Sequence, residues 1–339
     1  MLAPPLIPAA ALHLAEATPP VLASLVYLLL YVQRVRTLAR ERRAVDPWRV
    51  ASFCFGVALV TAVQLPPFDD LADQILVAHM VQHIVIGDIA SLFIVLGLTG
   101  PVIQPLLHMR ATRPLRVIAT PAVALGLWAV NLYVWHVPFF YQAAINHDLV
   151  HALEHACLLW FGSLLWFGLI GPLPKPAWFY GWGALGYVIL VRFVGAVLGN
   201  VLIWSQTVFY PVYRATDAAH GLSPLSDQNL AGAVMMVEES ILTILLLGWL
   251  FFRLAKADEE RQSLLDLAAR EGIELSDERA ARAAKAGTAD QLRERILKAA
   301  HDGAGATGLG PPGPESEPAP AGRVAARRAT EGDSHGEPA

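Results

Sequence analysis

Charge is what this 339-residue chain has least of. Asp, Glu, Lys and Arg make up 16% of it, where soluble domains carry roughly 25%. The shortage is uneven, because more than half of the charged residues lie after Phe252. About one residue in ten is charged before that point, too few to cover a soluble enzyme of that size. Cysteine is equally scarce. Cys54 and Cys157 both sit in apolar stretches with no CxxC or CxxxC spacing, which excludes a disulfide framework and a thiol redox motif. A formal net charge of −4 offers nothing to a nucleic-acid backbone. The first twenty residues have no basic n-region and are interrupted by proline, unlike a cleaved secretory leader.

Long apolar runs are present instead. Crossing a hydrocarbon core of ~30 Å takes about 20 mostly apolar residues. Stretches at about 15–33, 49–66, 73–98, 116–137, 149–171, 179–204 and 230–252 meet that need. The expected fold is therefore all-α, a polytopic bundle of seven transmembrane helices filling residues 1–255. Basic residues in the connections set its orientation. Arg34, Arg36, Arg40, Arg42, Arg43 and Arg49 fill the first connection, Arg110, Arg113 and Arg116 the third, and Lys175 the fifth. Arg253, Lys256 and Arg261 follow the seventh stretch, while the alternate segments hold only Arg214. The alternation predicts an N-terminus outside and a C-terminus inside. Residues 256–300 read as short charged cytosolic helices, broken at Gly272 and Gly287. Thr288 and Gln291 are spaced as a capping box for the last helix. The Gly/Pro/Ala/Glu-rich segment 301–339 reads as disordered.

On this topology five histidines from three helices share one layer in the outer half of the membrane. His79/His83 and His151/His155 are i,i+4 pairs, each on one helix face, and His136 ends the fourth stretch. At 1.5 Å per residue, His83 lies about 15 Å and His155 about 10 Å below the outer helix ends. Two facing HxxxH pairs offer four imidazoles to one or two metal ions, and imidazole suits copper, zinc and iron. Structural hydrogen bonding is the competing role for any one of them. Glu154, beside His155, is expected to face another way while staying near His151 through the i+3 relation.

Other charges fall within the spans, where ionisable groups are rare. Asp88 lies in the third, Arg192 in the sixth, and Glu238 and Glu239 about 12 Å into the seventh. Arg192 is expected to form a structural ion pair with Asp88 or Glu238. Met235 and Met236 descend alongside Glu238. A thioether suits Cu(I), so both are accessory candidates, with apolar packing the simpler role.

HMVQH (79–83), LGLTGPV (96–102), WHVPFFYQAAINHDLVHALEH (135–155) and LSDQNLAGAVMMVEE (225–239) occur in order. Together they resemble the polytopic CtaG-type assembly factors of bacterial caa3-type cytochrome c oxidase, over residues 20–255. The resemblance implies a seven-span protein of the bacterial plasma membrane, needed to make active haem-copper oxidase, with a step at copper delivery or insertion. An oxidase subunit or another respiratory assembly factor would be its partner. His79, His83, His136, His151 and His155 fall on recurrent family histidines, and Asp227, Gln228 and Gly232 on its DQ-x-x-AG segment. GDIAS at 87–91 departs from a proline-containing run found in many members, and the extended tail lies outside the family core. The residues alone also admit a haem electron carrier with bis-histidine ligation. A membrane di-metal oxidase is a weaker alternative, for want of an HxxHH box. A transporter would need a broken-helix pair that the sequence does not advertise.

Overall fold

The computed structural model describes residues 9–109 and 113–301. The expected disordered segment, apart from His301, and Arg110 lie outside the described residues. The described residues are 84% helical, with no strand among them, and the chain divides into two compact units at Phe252/Arg253. The principal helices are α1 (Ala9–Arg40), α2 (Pro47–Val63), α3 (Leu76–Gly97), α4 (Pro121–His136), α5 (Asp148–Ile170), α6 (Trp182–Trp204) and α7 (Pro224–Arg270). Then come α8 (Asp277–Ala286) and α9 (Ala289–His301).

Five of these helices are long and apolar enough to cross a membrane, and a sixth span results if α4 is joined to the helix after it. At 17 residues, α2 is apolar but shorter. The helix after α4, Pro138–Asn146, covers what the sequence suggested was a loop, and bends away from α4 by 70°. Pro138 explains the break. It has no N–H to continue the α4 ladder, yet its fixed φ suits the first position of a new helix.

The arginines of the first connection hold the far end of α3 as well as biasing topology. Arg34 Nη2 donates to the Pro101 carbonyl at 2.6 Å, Arg49 Nη1 to the Leu96 carbonyl at 2.9 Å, and Tyr31 Oη to the Gly97 carbonyl at 3.0 Å. The Leu96 and Gly97 carbonyls close α3, and that of Pro101, in the following helix Gly100–His108, faces Pro105, which has no N–H to donate.

Midway along α3, Val85–Ala90 form a π-turn. Its widened ladder leaves carbonyls short of partners. Ser91 Oγ takes the Gly87 carbonyl, and Trp166 Nε1 of α5 donates to the Asp88 carbonyl at 2.9 Å. At this level α3 and α5 touch backbone to backbone: a Cβ placed on Gly162 would lie 1.8 Å from the Gly87 oxygen.

In the second unit, Leu264, Ala268, Ala280, Leu292 and Ile296 form a small core of their own. Gly272 and Gly287 adopt the positive φ that ends a helix. The expected last helix forms, but the hydroxyl of Thr288 donates to the Ala283 carbonyl at 3.3 Å in place of the anticipated capping bond.

Gly162→Ala is expected to lower the thermal midpoint of the detergent-solubilised protein, at an overpacking cost of about 1–3 kcal/mol. Gly126→Ala in α4 meets nothing within 4 Å and gains up to about 1 kcal/mol of helix propensity. Equal midpoints for the two variants would contradict the backbone contact.

Candidate metal centre

The i,i+4 spacing of the two histidine pairs places them on the faces where α3 meets α5, one to three turns before the glycine contact. His79 stacks on His151, with ring centroids 5.3 Å apart and planes 19° apart. His83 lies 5.7 Å from His155 and 6.2 Å from His136. His79, His83, His136 and His155 are buried, and His151 is partly exposed. All five predicted histidines therefore meet. One nitrogen from each of His79, His83 and His155 falls within a mutual 4.8 Å. Donor atoms of His79, His151 and Glu154 satisfy the same limit.

Glu154 corrects the sequence expectation. Its side chain is 0% exposed and points into the cluster, with Oε2 at 3.7 Å from His83 Nε2 and 3.9 Å from His79 Nε2. Positions 154 and 155 differ by about 100° around a helix, and the buried face of α5 is wide enough to take both. A carboxylate in such a place requires a proton or a cation.

Most polar groups around the cluster are hydrogen-bonded, Gln82 Oε1 excepted, whereas most of those within it are not. His136 Nδ1 donates to the Leu132 carbonyl at 2.8 Å, which fixes the proton there and leaves Nε2 as a lone-pair donor. Gln82 Nε2 bonds the Val63 carbonyl at 2.7 Å and Asp69 Oδ1 at 2.6 Å. Tyr141, whose ring is 5.2 Å from His79, shares a 2.8 Å hydrogen bond with Tyr213. By contrast, both nitrogens of His79 and His83, Nε2 of His136, His151 and His155, and both oxygens of Glu154 are buried without partners. Buried polar atoms are rarely left so. The arrangement can bind a cation through imidazole lone pairs, with one carboxylate supplying charge.

The segment 225–239 builds the scaffold. Asp227 accepts from the Leu76 and Val77 N–H groups at 2.6 and 2.9 Å, capping α3 from another helix just before His79. Gln228 accepts from the Phe209 N–H at 2.8 Å and donates to the Thr207 carbonyl at 3.1 Å. Gly232 lets α7 approach α6, since a Cβ there would lie 2.7 Å from the Gly199 oxygen. Met235 packs among Leu198, Leu202 and Tyr210, and Met236 Sδ lies 3.5 Å from Asn200 Nδ2.

Arg192 forms its ion pair with Glu239, in place of the expected Asp88 or Glu238, and adds a 3.0 Å bond to Ser240. Glu239 and Ser240 are adjacent on α7, which faces α6 at that level. Asp88 and Glu238 line the same cavity as this pair, walled by Trp128 and Trp166. Gln82, Asp69 and Tyr141 went unmarked in the sequence. Only the i,i+3 relation of Gln82 to His79 hinted at one of them.

Asp217 lies in the loop that precedes α7. Burial, with the Asp227 carboxylate beside it, pushes the Asp217 carboxyl from 3.8 up to about 6.

The helical bundle and its buried histidine-carboxylate cluster define a polytopic membrane protein with a candidate metal centre. A family model described as cytochrome c oxidase caa3 assembly factor matches residues 29–257, and the chain belongs to that family. No curated protein and no solved structure matches it.

A raised carboxyl stabilises the fold while protonated, so its contribution is full below 3.8 and lost as the pH climbs through about 6. Asp217→Asn is therefore expected to be more heat-stable than wild type at pH 7, with the gap closing toward pH 4. A gap unchanged with pH would contradict the raised carboxyl.

Proposed function

We propose that this assembly factor binds copper through its histidine cluster and passes it to a subunit of the haem-copper oxidase. The protein would lie in a bacterial plasma membrane as seven spans, the cluster toward the outer face and the tail in the cytoplasm. Alternation of basic residues between connections supports that orientation. The observation that carries the copper reading is the concentration of unpartnered buried imidazole nitrogens around one buried carboxylate. His79, His83 and His155 would hold the ion, and Glu154 would neutralise part of its charge. His136 would stand ready beside His83 with its tautomer fixed. Neutral imidazoles without thiolate bind copper moderately, as suits a donor that must release its cargo. Acting as donor rather than catalyst, the protein would need no catalytic residues.

Metal analysis and an optical spectrum of detergent-purified protein from copper-replete cells test this. About one copper per chain is expected, with no Soret band and with loss of the metal in a folded His83→Ala/His155→Ala variant. Stoichiometric iron with a Soret band would instead establish the bis-histidine haem carrier. Absence of both metals would sink the copper reading.

A further inference from the structure

The five histidines form two layers. His79 and His151 occupy the first helical turn of α3 and α5. His83 and His155 follow one turn deeper, with His136 beside His83. The two converging donor sets follow these layers and share one member: His79, His151 and Glu154 on one side, and His79, His83 and His155 on the other.

We propose that the centre is a two-position relay. A copper ion is first received by His151, Glu154 and His79, then passes to His79, His83 and His155, with His79 bound throughout. The proposal rests on the copper reading above and adds the order of events and the receiving residue.

Four features of the cluster carry it. His151 is the one partly exposed member of the five histidines, so an ion arriving from solvent meets it first. The carboxylate of the cluster lies at the receiving side, because Glu154 belongs to that donor set. The deeper set consists of imidazoles alone, so charge draws the ion in and nitrogen donors hold it. Lastly, both nitrogens of His79 are free of other partners, and Glu154 Oε2 stands about equally far from His79 and His83. Exchanging one ligand at a time across a shared histidine never leaves the ion bare in a low-dielectric interior, where an uncompensated charge is prohibitively costly.

The test uses the full-length protein in detergent under anaerobic conditions. Cu(I) is supplied as its bicinchoninate complex, and its transfer is followed by stopped-flow absorbance. Retained copper is then measured after gel filtration. His151→Ala is expected to load at least about tenfold more slowly, the scale of loss when a group supporting a metal site is removed. It still retains one ion per chain. Glu154→Gln, of the same shape, slows loading likewise. His155→Ala takes up copper quickly and loses it on gel filtration. Wild-type loading rates in both His151→Ala and Glu154→Gln would overturn the relay. So would loss of retained copper in His151→Ala as complete as in His155→Ala, since one undivided site behaves that way. A wild-type protein that takes up no Cu(I) overturns the copper reading beneath, with the relay.

Discussion

The close approach of α3 and α5 is the constraint on which the centre depends. With no side chain on Gly162, the α5 backbone meets the Gly87 carbonyl of α3, and residues one to two turns nearer the helix starts are drawn together with it. His83 and His155 lie four and seven positions before those glycines. Wider helix separation would leave the imidazoles too far apart to share a ligand. Small residues at helix crossings are how membrane helices gain van der Waals contact. Here that contact also sets how near the donor atoms lie.

Around this contact the protein satisfies its buried polar groups by long-range bonds. Asp227 caps α3, Gln228 holds the loop after α6, Gln82 ties α3 to Val63 and Asp69, and Tyr210 Oη donates to the His136 carbonyl at 2.8 Å. Those of Asp227, Gln82 and Tyr210 fix backbone segments that carry or flank a histidine. The polar atoms left over are concentrated in the imidazoles and Glu154. Most of the buried polar atoms left without hydrogen bonds lie in that one cluster, and this concentration supports a binding role for it.

Much of this was legible in the sequence, because its signals are local or additive. Hydropathy summed over about 20 residues marks the helices, and i,i+4 spacing put each histidine pair on one face before any neighbour was known. Pairings between helices were less accessible. Arg192 had several carboxylates at suitable depth, and only the rotation of α7 against α6 selects Glu239. Glu154 seemed turned away because adjacent residues diverge on an isolated helix, whereas the face of α5 against α3 is broad. Pro138–Asn146 looked like a loop because it follows a Trp-His-Val-Pro break and lacks span length. Proline there ends one helix and begins another.

The π-turn at Val85–Ala90 shows why the GDIAS segment matters although it contains no ligand. One additional residue in a turn rotates everything after it by about 100° relative to an uninterrupted helix. On the near side of the turn, α3 presents His79 and His83 to α5. Within the turn, Asp88 lines the cavity that holds Arg192, Glu238 and Glu239. A proline at this level would also interrupt the ladder, by removing a donor. The π-turn interrupts it while leaving glycine free for the contact with Gly162. In this chain the same few residues thus separate two buried polar centres and bring the metal-binding candidates together.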